Sequence, residues 1–431
     1  MGALEERRAF SERKRVLVLT STFPRWPGDF EPRFVYDLCL KLAESFEIHV
    51  VAPHTYGTER VINLNGLHVH RFQYLPEQWQ SLAYEGGILT KLRRNPLIAL
   101  QVPFFLGSQI LLVRRLLRRF SFDALHAHWI LPQGLCAVLA QAGRRHKVPV
   151  LCTSHGGDLF GLRGPLFDAL RRWVLSRSAA LSVVSRAMAE KMRTSGIATP
   201  CHVIPMGTDL KTLFTPDPRT PRRTATVLFV GRLVEKKGVR YLIEAFGRVR
   251  RRFPEAELWI VGSGPDKAAL KKEAASIAPV RSLNWRERPI PWADYPAFPG
   301  TITFFGPVPH CHLPGFYRAA TVTVVPSVVA QSGDQEGLGL VLVEAMGCGC
   351  PVIASDLAAI RDVVRPGETG LLVPPKESRA LAEAIGTTLN QPALRQRLSA
   401  NARQWALEAF DWTTIKEKYE TILTEVMQRT R

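Results

Sequence analysis

Short apolar runs, spaced by longer amphipathic stretches, set the rhythm of this chain. The first, RVLVLT at residues 15–20, lies between a charged tail and a proline-containing loop, and predicts a buried strand of a parallel sheet. Similar runs predict strands at 48–52, 68–72, 124–127, 150–153, 180–184 and 202–204, mostly separated by helix-like segments. A second series begins at 227–230 and continues through LWIV, TITFFG, TVTVV, 352–354 and GLLVP. A helix is predicted from about residue 378, and a last one from 411 to about 428, opened by an aspartate cap. Alternating strands and helices argue for doubly wound α/β domains. The proline-rich, basic stretch TPDPRTPRRT, 215–224, reads as an interdomain linker. With 431 residues there is room for two domains of about 200 residues each.

The stretch GDQEGLGLVLVEAMGCGCPVIAS, 333–355, breaks this rhythm. It predicts a loop, a buried helix, a stop and a strand. Glu336 precedes the helix and Glu344 lies inside it, about 12 Å further along the axis. That is comparable to the span from sugar to ribose in a nucleotide-sugar. Gly337 and Gly339 leave the N–H groups at the helix entrance, Leu340 among them, open to a phosphate or a hydroxyl. An acid in so apolar a helix needs a partner. Either Glu344 meets a ligand, or it caps or pairs with a nearby arginine.

Composition adds two constraints. The formal net charge is +19, with the excess concentrated in the first 200 residues, so an anionic partner is expected: a phosphate-bearing acceptor or a membrane surface. Nucleic acid is disfavoured, since no zinc-finger spacing, RNA-binding signature or basic zipper occurs. Residues 91–119 carry basic residues around an apolar centre and no acid, interrupted by Pro103 and Gly107. The segment reads as too short and broken for a membrane span. It suits either an anionic bilayer surface or a core helix with a solvated arginine face. Seven cysteines in a chain this long fit a reducing compartment, and no N-terminal signal is visible, so the expected location is cytoplasmic, peripheral on the inner face of the plasma membrane. His126 and His128, His68 and His70, and His310 and His312 lack a third ligand at suitable spacing. They read as strand-end residues, and no metal is expected.

Three further stretches carry candidate chemistry. The loop STFPRWPGDFEPRF follows the first strand, where Gly28 can let backbone approach a ligand and Arg25 and Arg33 can face anions. An ordinary proline turn is the plainer reading of this loop. In TSHGGDLF, His155 follows another strand, with Asp158 nearby. In GRLVEKKG, Arg232 and Lys237 sit at a helix entrance, an unfavourable place for cations unless an anion joins them. Arginine can fork onto phosphate oxygens, and lysine supplies a point charge.

These stretches, in this order, resemble the retaining family 4 glycosyltransferases of the GT-B fold. The E-x7-E segment with its tail EAMGCGCPVIAS, GETGLLVPPKE, the HG-x-D piece, GR-x-x-x-x-KG and the TFPR…GD…F entrance all have family counterparts, best in 225–375. In CHVIPMGTDLKTLFTP, Met206 stands where the family usually has Asn, which puts a role for that turn in doubt. The segment 281–300 looks like an insertion: a lid, an acceptor wall or a packing contact. The resemblance implies two Rossmann-like domains facing across a cleft. These are an acceptor-side domain at 1–207, a nucleotide-sugar domain at 208–410 and a helix at 411–431 crossing back to the first domain. It implies transfer of a sugar from a nucleotide-diphosphate sugar to a saccharide or lipid-linked saccharide, with retained configuration and no required cofactor. Arg232 and Lys237 would bind the diphosphate, with the N–H groups of Gly339 and Leu340. Glu336 would hold the sugar, Glu344 the ribose, His155 the transferred sugar, and Asp158 would serve the acceptor side. A nucleotide-sugar epimerase and a non-catalytic sugar-nucleotide binder or membrane scaffold are the alternatives; product formed without acceptor would mark the first, and the intact Glu336, Arg232, Lys237 and His155 argue against the second.

Overall fold

The computed structural model describes residues 13–26, 29, 31–84, 87–283, 285 and 296–429. Gly28 and most of the 281–300 insertion fall outside them. The chain forms two compact units: residues up to Met206 together with Ile415 onward, and Gly207–Thr414.

The first unit is built on an eight-stranded sheet: β1 (Arg15–Leu19), β2 (Glu47–Pro53), β3 (Val61–Leu64), β4 (Leu67–Phe72), β5 (Ala124–His128), β6 (Val150–Ser154), β7 (Ala180–Val183) and β8 (Cys201–Val203). Its order is β3-β4-β2-β1-β5-β6-β7-β8. All neighbours are parallel except β3 and β4, an antiparallel hairpin. Its turn, Asn65-Gly66, has positive φ at both residues, the pairing that a two-residue hairpin favours. The central strands are buried along their whole length, as covering helices on both faces of a parallel sheet require.

Residues 88–119 are helical: Ile88–Arg94, a tight 3₁₀ stretch Pro96–Gln101, then Val102–Arg119. Pro103 does not break the last helix, because it sits in the first turn, where its missing N–H costs nothing. Pro96–Arg119 is, among the described residues, one helical run long and apolar enough to cross a membrane, and little of it is buried. Phe105, Val113, Leu116 and Leu117 pack inward, while Leu97, Leu100, Phe104 and Leu111 are exposed.

Among its described residues the second unit has seven strands, all parallel: β9 (Thr226–Val230), β10 (Glu257–Val261), β11 (Val280–Ser282), β12 (Ile302–Gly306), β13 (Val322–Val325), β14 (Val352–Ser355) and β15 (Leu371–Val373), in the order β11-β12-β10-β9-β13-β14-β15. The helix Val239–Arg252 buries Val239, Leu242, Ile243, Phe246 and Val249 at helical spacing against Phe229, Leu258, Ile260 and Ile385. Each such side chain contributes about 1.5–3 kcal/mol by leaving water. The final helix, Trp412–Gln428, starts where Asp411 accepts the Thr413 N–H at 3.0 Å. Its later part, with buried Ile415, Tyr419, Ile422 and Leu423, belongs to the first unit.

Candidate functional site

In the second unit, β9 delivers the chain to Gly231 and Arg232, and a 3₁₀ turn, Glu235–Lys237, follows. Gly238 ends that turn in the left-handed region (φ +63), and a Cβ there would lie 1.9 Å from the Pro326 carbonyl oxygen, so only glycine lets the turn sit against that loop. The turn points two lysines at the loop before the helix Leu340–Gly347. Lys237 pairs with Glu336, and Lys236 Nζ lies 3.1 Å from Asp334 Oδ1. Burial pushes the Glu336 carboxyl up, but Lys237, Lys236 and Arg232 outweigh it and hold it down at about 2. Arg232, Lys237 and Glu336 thus come together, with the lysine engaged by the acid. Gly339 (φ +93) opens the helix; the Leu342 N–H donates to the Gly339 carbonyl at 2.9 Å, while the Leu340 N–H, at the first helical position, has no preceding turn to accept it.

Glu344 lies inside that helix and is buried. Its partners are not arginines. Tyr317 donates its hydroxyl to Oε2 at 2.8 Å, and His310 Nε2 lies 3.0 Å from Oε1. Burial first, and then the Glu344 charge, raise the Tyr317 hydroxyl well above its ordinary range, so it stays a donor. Phe214 packs edge-on to His310, with ring centres 5.0 Å apart. The loop carrying it is held by Arg403, which donates to the Leu210 and Phe214 carbonyls at 3.0 and 3.1 Å, and by Arg318, which donates to Leu213 at 3.0 Å. His310 is not the strand-end residue that its spacing suggests: it opens the 3₁₀ turn His310–His312 and is one of two side chains orienting Glu344.

In the first unit, His155 stands at the carboxyl end of β6, just after Ser154. Its Nε2 is 2.9 Å from His128 Nδ1, and the two rings stack at 5.2 Å. Phe34 and Trp129 flank the His155 ring at 4.8 and 5.0 Å. Behind them, His126 Nε2 is 2.8 Å from Thr153 Oγ1, which is 2.6 Å from Ser182 Oγ. Burial pushes His155 and His126 down to about 3, and His128 well below its ordinary value, so all three rings are neutral near pH 7. The histidines of HAHWI are therefore more than strand ends: β5 and β6 pair in parallel with His128 opposite Thr153, which brings His128 to His155.

Asp158 is buried, with both carboxylate oxygens engaged inside the unit. Ser154 Oγ donates to Oδ1 and the Ile130 N–H to Oδ2, each at 2.7 Å. Arg171 donates to its carbonyl at 2.8 Å. Burial raises its carboxyl against the pull of these donors. Asp158 ties the loop after β5 to the loop after β6, and so fixes the backbone around His155. In the entrance loop, Arg25 is bound to Asp29 at 2.8 Å and Arg33 to Asp37 at 3.2 Å.

Comparison with known proteins covers both units. Residues 224–391 match the model for glycosyl transferases group 1, and 32–207 match that for a glycosyl transferase 4-like domain. The phosphatidyl-myo-inositol mannosyltransferase of Mycobacterium leprae is 31% identical over 72% of this chain and 77% of its own length. A GDP-mannose-dependent alpha-(1-6)-phosphatidylinositol monomannoside mannosyltransferase of Mycolicibacterium smegmatis is 26% identical over 93% of this chain and 95% of its own. Among solved structures, sucrose-phosphate synthase from Thermosynechococcus elongatus superposes with a TM-score of 0.73 at 24% identity, covering 97% of this chain and 100% of that one. Anabaena HepE in complex with UDP-glucose gives 0.67 at 18% identity, over 95% and 99%. Two parallel-dominated sheets, matches over both units and a relative 31% identical place the chain among the group 1 glycosyltransferases of the GT-B fold.

Proposed function

We propose that this glycosyltransferase moves a sugar from a nucleotide-diphosphate donor to an acceptor hydroxyl with retention of anomeric configuration, in glycolipid or cell-surface polysaccharide synthesis. The observation that carries the reading is the meeting of Lys237, Lys236 and Arg232 around Glu336 at the entrance of the helix Leu340–Gly347. A departing nucleoside diphosphate builds up negative charge, and cations with free N–H dipoles stabilise it without a proton donor. Arg232 and Lys237 take the diphosphate, joined by the Gly339 and Leu340 N–H groups. Glu336, released from Lys237, accepts hydrogen bonds from sugar hydroxyls. Glu344 holds ribose hydroxyls, oriented by Tyr317 and His310. His155, neutral and bound to His128, orients the transferred sugar, and Asp158 serves the acceptor side by fixing the loop that carries His155. Two cations and the helix entrance do the work a bridging divalent ion would do, so no metal or cofactor enters the transfer. The leaving phosphate itself takes the acceptor proton on the front face.

The relatives named as phosphatidylinositol mannosyltransferases make a lipid-linked acceptor and GDP-mannose the first pair to test. A screen of purified enzyme against GDP-mannose, UDP-glucose and other nucleotide-sugars, with proton NMR of the product anomer, is the test. An inverted product ends the retaining reading; turnover without acceptor favours an epimerase. The exposed Leu97, Leu100, Phe104 and Leu111, with Arg93, Arg94, Arg115 and Arg118 on the same segment, suit an anionic bilayer on the cytoplasmic side. Flotation with liposomes should show binding that rises with anionic lipid; equal flotation on neutral vesicles removes the electrostatic part.

A further inference from the structure

At the amino ends of the first sheet's strands, opposite the carboxyl end that carries His155, a second group of side chains converges where β2 and β4 begin. Glu47 opens β2, His49 follows two residues on, and in the parallel register His49 stands opposite His68 of β4. One ligand atom each from Glu47, His49 and His68 lies within 4.8 Å of the others. We propose that these three residues bind one divalent transition-metal ion of the zinc class, remote from the transfer chemistry.

The donor set suits such an ion. Two imidazoles and a carboxylate form a mixed nitrogen and oxygen site, with a fourth position left for water. A tetrahedral ion with bonds near 2.1 Å needs ligand atoms about 3.4 Å apart. His49 Nε2 and Glu47 Oε1, at 3.0 Å, are already that close. His68 has to turn in: its ring stacks on His49, with centres 4.7 Å apart, and it is only half-buried, so it has room to move.

The outer contacts also fit. His70 Nε2 is 3.1 Å from His49 Nδ1, and Arg15 Nε donates to the other Glu47 oxygen at 2.9 Å. Ligating histidines normally use their second nitrogen in this way, which fixes the tautomer. The rings of Phe120 and Phe122, 4.9 and 5.2 Å from that of His49, form an apolar wall beside it. Without an ion, the protons form a chain: His70 Nε2–H donates to His49 Nδ1, and His49 Nε2–H donates to Glu47. When His49 Nε2 binds the ion, the ring stays neutral by carrying its proton on Nδ1, which then donates to His70 Nε2, while His70 keeps its own proton on Nδ1; no proton is released. Read one strand at a time, His68 and His70 have no third ligand; the third and fourth groups come from the neighbouring strand. A bound ion would clip the starts of β2 and β4 together.

The test uses the full chain without a histidine tag, stripped with chelator and titrated with zinc by calorimetry, alongside elemental analysis. One equivalent should bind. His68→Ala and Glu47→Gln, both at half-buried positions, should each weaken binding about 10-fold or more, and His70→Ala about 10-fold. His146→Ala, on an exposed loop, should change nothing. Cobalt(II) on the wild-type chain should show the visible bands of a four-coordinate site, a reading independent of any variant. Absence of stoichiometric zinc uptake, a purely six-coordinate cobalt spectrum, or affinity undiminished in both His68→Ala and Glu47→Gln would overturn the proposal.

Discussion

The two sets of candidate residues solve opposite electrostatic problems. Around Glu336 every group is charged, and opposite signs are held close: Lys237 on Glu336, Lys236 on Asp334, with Arg232 near enough to help hold the Glu336 carboxyl at about 2. Around His155 the groups are neutral rings, stacked and walled by Phe34 and Trp129, with protonation suppressed by burial. The first arrangement suits a ligand that brings its own negative charge. The second suits hydroxyls, which need direction more than neutralisation. Charge is thus handled on one unit and orientation on the other.

The comparison breaks most visibly at Lys237. Lys237→Ala removes a cation aimed at developing charge and leaves Glu336 short of its partner, so kcat for transfer should fall about 10²–10³-fold, with the fold retained and the melting temperature lowered by the loss of the enclosed pair. Wild-type turnover in this variant would remove the diphosphate assignment.

A smaller effect is expected at His128. It touches His155 and serves as a positioning residue. His128→Ala should lower kcat about 10–100-fold with little change in KM for the donor. His128→Gln, which can still hydrogen-bond His155, should recover part of the loss. If Ala and Gln behave alike, the contact is packing alone.

The mildest effect is on stability. His155 and His126 titrate near 3 in the folded chain against an ordinary 6.5, so the unfolded chain takes up protons first as the pH falls. Their contribution is complete above about 6.5 and is lost progressively towards pH 3. Glu336, lowered from 4.5 to about 2, adds a loss of the same sign only below about 4.5. A thermal melting series should therefore start to decline near pH 6.5. A decline confined to the region below 4.5 would show that the histidine cluster is not suppressed as described.

What could be read in advance follows from the range of the interactions. Strands and the order of motifs are local patterns, and the runs at 15–20, 124–127 and 150–153 appear where expected, as β1, β5 and β6. β4 appears at the predicted 68–72, but β3 is not among the predicted strands, although the Asn65-Gly66 turn that pairs it with β4 is a strong local signal. The pairs around the sites are non-local. His128 meets His155 only because β5 and β6 adjoin in one particular register, and His310 reaches Glu344 across 34 residues. Pairing with an arginine is one of the two readings the sequence leaves open for Glu344, since salt bridges are a common remedy for a buried acid. A tyrosine and a histidine provide the remedy here, and their own placement depends on Phe214 and the two arginines behind it. Asp158 likewise carries the residue type of a ligand contact, yet its oxygens are used up by Ser154 and the Ile130 backbone.

The first unit takes its closing segment from Ile415 onward, which the ribosome makes only after all of Gly207–Thr414. Tyr419 and Leu423, both fully enclosed, leave a gap in the nascent amino-terminal half until then. Maturation of that half is thus timed by synthesis of the other, and expressing residues 13–206 alone should yield an unfinished, aggregation-prone product.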